Sequence, residues 1–216
     1  DISSGEAMTD GRGEPLNRML FSRDAIGMAR LWEDSAFALN SQLFRASRVE
    51  SEPFWINRRG IHARLPNPSF AGIGVRDFEQ RSLAKAAIVV PLHMPFSQIG
   101  LAVFTSLDPA REDLANEFAQ SANLLADVAR RFVEGYVKVM GDNPYLPTEC
   151  VLGQRELQCL RWIAFGKTDY EIAIILGCSN ATVRYHIKRI YHKLDANNRA
   201  QAVFRACQLG FLGSVR

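Results

Sequence analysis

Thiols are scarce and confined to one end of this chain. Of 216 residues only Cys150, Cys159, Cys178 and Cys207 are cysteines, widely spaced in the last third. Those spacings form neither a disulfide framework nor a zinc pattern, so the four are read as small reduced core residues of a cytoplasmic protein. Long apolar runs are missing too: none approaches the ~20 residues of a membrane span, and the opening DISSGEAMTDGRGEP lacks the basic-then-apolar order of a signal peptide. No glycine-rich phosphate loop occurs. His62, His93 and the scattered carboxylates form no nucleophile–base pair and no metal-ligand spacing, so neither an enzyme nor a resident metal or cofactor is expected. The chain begins on Asp1 and not on Met, and further natural residues are expected to precede it.

What is present divides in two. With 47% hydrophobic and 23% charged residues the chain is long enough for two domains with real cores. Residues 1–15, rich in Gly, Ser, Asp and Glu, are expected to be a mobile tail. A first domain is expected over 16–140, a linker over GDNPYLPTE, 141–149, and a second domain over 150–216. The charge is segregated accordingly: residues 150–216 hold ten Lys or Arg against four Asp or Glu, whereas residues 1–149 hold sixteen against nineteen. Such asymmetry is the footprint of a nucleic-acid-binding module joined to a domain with another task.

The second domain reads as four helices containing a helix-turn-helix. Thr168 and Glu171 form the T-x-x-E box that starts one helix, Ala173, Ile174 and Leu176 supply its buried side, and Gly177 ends it. After a tight turn, Ser179 and Asn180 are placed to cap a second helix, whose apolar residues Val183, Ile187, Ile190 and Leu194 fall on one stripe. The opposite face carries Arg184, Tyr185, Lys188, Arg189, His192 and Lys193, a basic surface with an aromatic among its cations, as a helix needs to reach guanine edges and phosphates in the major groove. His186 lies beside the buried stripe and is read as fixing the helix by a hydrogen bond.

The run LGQRELQCLRWIAFGKTDYEIAIILGCSNATVRYHIKRIYHKL resembles the C-terminal helix-turn-helix of LuxR-type transcriptional regulators, down to R-E, G-K-T, E-I-A, I-L, T-V-x-x-H and K-L. The resemblance covers roughly 65 residues and includes a fourth helix, Arg199 to Leu209, which in that family packs two DNA-binding domains together. It implies base contacts from Arg184, Tyr185 and Lys188, and phosphate contacts from Thr182, Arg189, Lys193, Lys167 and Thr168. One departure is Gly153, where the family has Thr or Ser as the first helix cap, with Glu156 still at the third position; glycine caps only a few tenths of a kcal/mol less well.

In the first domain, apolar residues from Leu16 to Ser47 suggest two helices. Phe70–Arg76, Ala86–His93 and Ile99–Ser106 read as strands, the last two forming a hairpin about MPFSQ. Asp108 and Pro109 are placed to cap a long helix running to Met140, stopped by Gly141 and Pro144. Its stripe of Leu114, Phe118, Leu125, Val128, Phe132 and Tyr136 is too long for one small sheet to cover, so part of it is expected in a dimer interface. The fold class is therefore α+β: an α/β/α sandwich suited to a small ligand, followed by an all-α four-helix DNA-binding domain.

AAIVVPLHMPFSQIGLAVF, with V-P-L-H and Gly100 nine residues after the proline, also resembles the sheet of the autoinducer-binding domain of quorum-sensing regulators, as does PFW at 53–55. The resemblance places Trp55 in a pocket wall, with Trp32 and Phe104 as further candidate ligand contacts. Four positions depart from the family. Ala36 stands four residues after Trp32, where W-x-x-x-Y would have Tyr, Asn40 and Ser41 stand where Asp-Pro would lie, and Ala87 replaces a glycine. Without that carboxylate the lactone amide loses its acceptor, so ordinary acyl-homoserine-lactone binding is not expected. A receiver domain is not indicated, since alternating βα units are missing. Two functional readings remain: a dimeric regulator binding a double-stranded DNA operator under control of a small-molecule signal, or one whose first domain serves only dimerisation or a protein antagonist. Either would engage RNA polymerase if it activates.

Overall fold

The computed structural model describes residues 9–13, 40–75, 78, 84–140 and 150–213. They form two compact units, one built on a four-stranded sheet and one on four helices. The expected helices before residue 40, most of the 1–15 tail, the 141–149 linker and Trp32 lie outside the described residues.

Strands β1 (Phe54–Asn57), β2 (Gly60–Ala63), β3 (Ala86–Met94) and β4 (Gln98–Thr105) lie side by side in the order β2-β1-β3-β4. β1 runs antiparallel to both its neighbours, with Phe54 opposite Ala63 on one side and Val89 on the other. Period-two alternation sorts the side chains into two layers. Phe54, Ile56, Ala87 and Val89 pack on Phe78 and on Leu43 and Ala46 of helix α1 (Gln42–Ser47). From the other face Ala86 and Ile88 meet Leu114, Phe118 and Ala122, while Val90 and Leu92 meet Ala126 and Ala129, along helix α2 (Ala115–Met140). The result is an α+β helix/sheet/helix sandwich. β3 is buried on both faces, which is why it reads as a continuous apolar run. Pairing with β1 ends at Val89, two residues before Pro91, so the missing proline N–H is not taken from that ladder.

Three expectations for this unit are corrected. Residues 70–75 of the expected strand Phe70–Arg76 are not a strand, and Arg76 lies outside the described residues. Asn67 accepts a hydrogen bond from the Ser69 N–H and, with Pro68 behind it, starts a 3-10 turn over Pro68–Gly72, while Phe70 packs on Phe54 at 5.6 Å between ring centroids. The β1–β2 hairpin occupies a stretch where no strands are expected. It turns through Arg58 and Arg59, whose N–H is taken by the Asn57 side chain, and Gly60 follows at φ 152°. Asp108 and Pro109 do not start the long helix. Asp108 closes a local turn, accepting from Ala110 and Arg111, and α2 begins seven residues later at Ala115. There Asp113 accepts from the Leu114 N–H and also holds Trp55 and Asn57 from β1, a tertiary anchor that fixes the helix start.

The helical unit comprises α3 (Gln154–Ala164), α4 (Asp169–Leu176), α5 (Asn180–Lys193) and α6 (Arg199–Gln208) around one core. Val183, Ile187, Ile190 and Leu194 are buried as the spacing requires. On α4 the register differs from expectation: Ile172 and Ala173 are buried, while Ile174 is 65% exposed. Cys159 is fully buried, Cys150 and Cys178 are partly buried, Cys207 is exposed, and none forms a disulfide. Burial pushes the Cys159 and Cys150 thiols up, away from the reactive thiolate.

Candidate nucleic-acid interface

Each end of the helix-turn-helix is set by a local hydrogen bond. Thr168 Oγ1 accepts from the Glu171 N–H at 3.3 Å and Glu171 Oε2 accepts from the Thr168 N–H at 2.8 Å, so two of the orphan donors at the start of α4 are satisfied reciprocally. At its end Gly177 adopts φ 63°, a left-handed conformation that a side chain would strain, and the Cys178 N–H returns to Ala173 O at 3.0 Å. That turn aims α5. Ser179 Oγ caps α5 by accepting from the Thr182 N–H at 3.1 Å, and the two hydroxyls bond to each other at 2.8 Å. Asn180 is the first residue of the helix and not its cap; its Oδ1 is buried without a partner.

With one stripe of α5 in the core, the other face is presented outward. Arg184, Tyr185, Lys188 and Arg189 are exposed there together, the Arg184 side chain at 70%. These side chains are held by neighbours. Arg184 Nε lies 3.8 Å from Asp169 at the start of α4, and the other oxygen of that carboxylate binds Arg199 of α6 at 2.5 Å. Arg189 donates to Tyr185 Oη at 3.2 Å with its guanidinium 5.7 Å from the ring centroid. Lys167 pairs with Glu171 at 3.3 Å. The arrangement presents arginine, lysine and tyrosine donors on one helix face, beside the N-termini of α4 and α5, whose free N–H groups have the polarity that suits an anion.

Beneath this face lies a residue singled out in the sequence only as a helix cap. Glu156 of α3 is 3% exposed. Its carboxylate accepts from the Gly153 N–H at 2.6 Å and from Lys193 Nζ at 2.7 Å and forms an ion pair with Arg189 Nε at 2.9 Å, while Lys193 also donates to Val151 O at 2.8 Å. Burial works to raise its pKa, but the hydrogen bonds from Lys193 and Gly153 and the charges of Lys193 and Arg189 outweigh it and hold the group below its usual range. The signal was legible in part: Glu156 sits at the capping-box position, whereas its meeting with α5 is long-range. Lys193 accordingly turns inward. His186 does not anchor α5 as expected: its Nδ1 is buried without a hydrogen-bond partner, and its ring lies edge-on to Tyr185 at 5.5 Å.

Of the three candidate ligand contacts, Trp55 and Phe104 come together, both packed against the layer formed with α2. Trp55 donates its indole N–H to Asp113 at 3.1 Å, stacks on His62 at 4.9 Å and meets Phe118 at 4.6 Å. Ser41, in the place of the resemblance's Asp-Pro, caps α1 by accepting from the Phe44 N–H at 3.2 Å. On the opposite sheet face, Ser47 of α1 is fully buried with its Oγ unpaired.

Residues 150–206 match the luxR family of bacterial regulatory proteins. The transcriptional activator AhyR of Aeromonas hydrophila is 31% identical over 176 residues, 79% of this chain and 64% of that protein, an alignment that must extend into the sheet unit. VanR of Vibrio anguillarum, also a transcriptional activator, is 30% identical over 128 residues, 59% of this chain and 52% of that protein. The chain thus spans from about half to under two thirds of the length of these relatives. The crystal structure of Escherichia coli SdiA aligns over 90% of this chain and 77% of that one, at 21% identity and a TM-score of 0.46.

Proposed function

Because residues 150–206 are a helix-turn-helix domain of the luxR family of bacterial regulatory proteins, we propose that the chain is a cytoplasmic, dimeric, sequence-specific DNA-binding regulator of transcription. The observation that carries this reading is the outward face of α5, where Arg184, Tyr185 and Lys188 stand together opposite a fully buried stripe. In it, these three read base edges in the major groove. Lys167, Thr168 and Thr182, at the starts of α4 and α5, meet phosphates, whereas Arg189 and Lys193, which the resemblance also sets at phosphates, are engaged by Glu156. One such helix reads few base pairs, so a two-fold dimer on a pseudo-palindrome supplies the rest. RNA polymerase is a further partner if the protein activates, as its named relatives do.

Selection from a randomised duplex pool tests this directly. Enrichment of a pseudo-palindrome with half-sites about one helical turn apart is expected, and a pool without enrichment would refute the reading.

For the first unit we favour control by a small molecule other than an ordinary acyl-homoserine lactone. Asn40, in the place of the carboxylate, offers a neutral acceptor only, and Trp55 and Phe104 pack on the same layer of the sheet unit. In the second reading the unit serves dimerisation or binding of a protein antagonist. It is favoured by the commitment of Trp55 to Asp113 and α2. Native mass spectrometry of the protein purified from its source separates the two: a co-purifying small molecule supports the first.

A further inference from the structure

Burying a carboxylate between two helices is costly, and an apolar residue of similar volume would pack there at least as well. Glu156 is nonetheless almost completely buried at the α3–α5 contact, and its partners are two cations of the helix assigned to DNA. The two are used differently. Lys193 donates one N–H to the buried Glu156 carboxylate and another to Val151 O, and only 27% of its side chain is exposed. Arg189, 49% exposed, is fixed at Nε by Glu156 and reaches outward with Nη1 to Tyr185 Oη. A relay therefore runs from the buried carboxylate through Arg189 to an aromatic on the reading face.

We propose that Glu156 is a positioning residue for DNA reading, which withdraws Lys193 from the phosphate-facing charge and, through Arg189, holds Tyr185 in its reading orientation. This rests on the DNA-binding reading above. It departs from a simple count of cations on α5, because Lys193 contributes little to phosphate binding while Glu156 is ionised. The carboxylate thereby lowers sequence-independent affinity and raises the discrimination between sites, two effects that a purely structural ion pair would not couple.

The test is fluorescence anisotropy with a random-sequence duplex and with the duplex selected as above, across a salt series, using the full chain. Neutralising phosphates makes the logarithm of affinity fall with the logarithm of salt by roughly 0.9 per contact. Glu156→Gln is expected to steepen that slope on random DNA by roughly 0.9 for each cation set free, to tighten binding there, and to reduce the preference for the selected duplex about tenfold. Lys193→Gln in the otherwise unaltered chain is expected to leave the random-DNA slope unchanged, and in the Glu156→Gln background to remove one increment. A Glu156→Gln slope that is unchanged or shallower overturns the proposal. So does a shallower slope for Lys193→Gln alone, which decides the matter even if Glu156→Gln fails to fold. Should the unaltered chain bind neither duplex, the DNA-binding reading falls, and this proposal with it; binding without the expected variant pattern defeats the proposal alone.

Discussion

In the proposed complex Arg184 is the leading candidate for reading a base, because it is open to solvent and yet lies 3.8 Å from Asp169, which also pairs with Arg199. A guanidinium held in this way loses less freedom when it pairs with a guanine edge. Arg184→Ala should cost about 1–3 kcal/mol on the selected duplex and relax preference at one base position; equal losses on selected and random DNA would show that it meets only phosphate. Glu156 adds a pH dependence whose sign follows from its partners. Its folded pKa is depressed below the usual 4.5, so its stabilisation is present above that value and is lost as pH falls through the folded pKa. Melting temperatures measured from neutral pH down through this range should therefore drop more steeply for the unaltered protein than for Glu156→Gln, and parallel curves would contradict the assignment.

At the scale of elements, the helical unit was legible in the sequence because its signals are local. Thr168 with Glu171, Gly177 and Ser179 each act within four residues, and the α5 stripe repeats often enough to set its own phase. The sheet unit was legible only where a run was long, as in β3 and β4. β1 and β2 have four residues each and turn through two arginines, so neither alternation nor turn composition marks them. Phe70, Ile73 and Val75 have strand-forming side chains, but Asn67 and Pro68 start a tight turn ahead of them. Likewise Asp108–Pro109 is a correct local signal for a turn, while the start of α2 is decided by contacts of Asp113 that span more than fifty residues. The candidate site divides the same way: α5's outward face was readable from period alone, whereas Glu156 beneath it and Asp169 beside it depend on packing. These starts can be told apart. Asp113→Ala should lower stability by about 1–2 kcal/mol through loss of a cap and shift the Trp55 emission, while Asp108→Ala should stay within about 0.5 kcal/mol. The reverse ranking would restore Asp108 as the cap.

For the whole molecule, the proposed assembly and the proposed ligand control both bear on the sheet unit. α2 buries Phe118, Ala122, Ala126 and Ala129 against the sheet, yet Leu124, Val128 and Phe132 recur every four residues on a second, exposed stripe. Tyr136, expected on the outer stripe, is partly buried and accepts from the Thr9 N–H. An apolar stripe of this kind suits an isologous contact with a second copy, as does the exposed Phe204 on α6. Phe132→Asp should thus give a folded monomer in sedimentation with weakened operator binding, and a persisting dimer would remove α2 from the interface. Ligand control is tested on the same protein. An acyl-homoserine lactone presents an amide N–H that gains most from a carboxylate acceptor, since a charge-assisted hydrogen bond is roughly twice as strong as a neutral one. By the resemblance the corresponding place falls to Asn40, whose side-chain amide oxygen is a neutral acceptor and not a charged one. Burial of the acyl chain alone contributes about 0.8 kcal/mol per methylene but is indifferent to the head group, so chain length and not the lactone would govern any residual binding. A ligand at about 100 times its dissociation constant stabilises a fold by about 2.7 kcal/mol, several degrees of melting temperature for a protein of this size. Short- and long-chain lactones are expected to produce no such shift. A clear shift with a short-chain lactone, which has little chain to bury, would mean that another group replaces the missing carboxylate and that the protein answers to ordinary lactone signals.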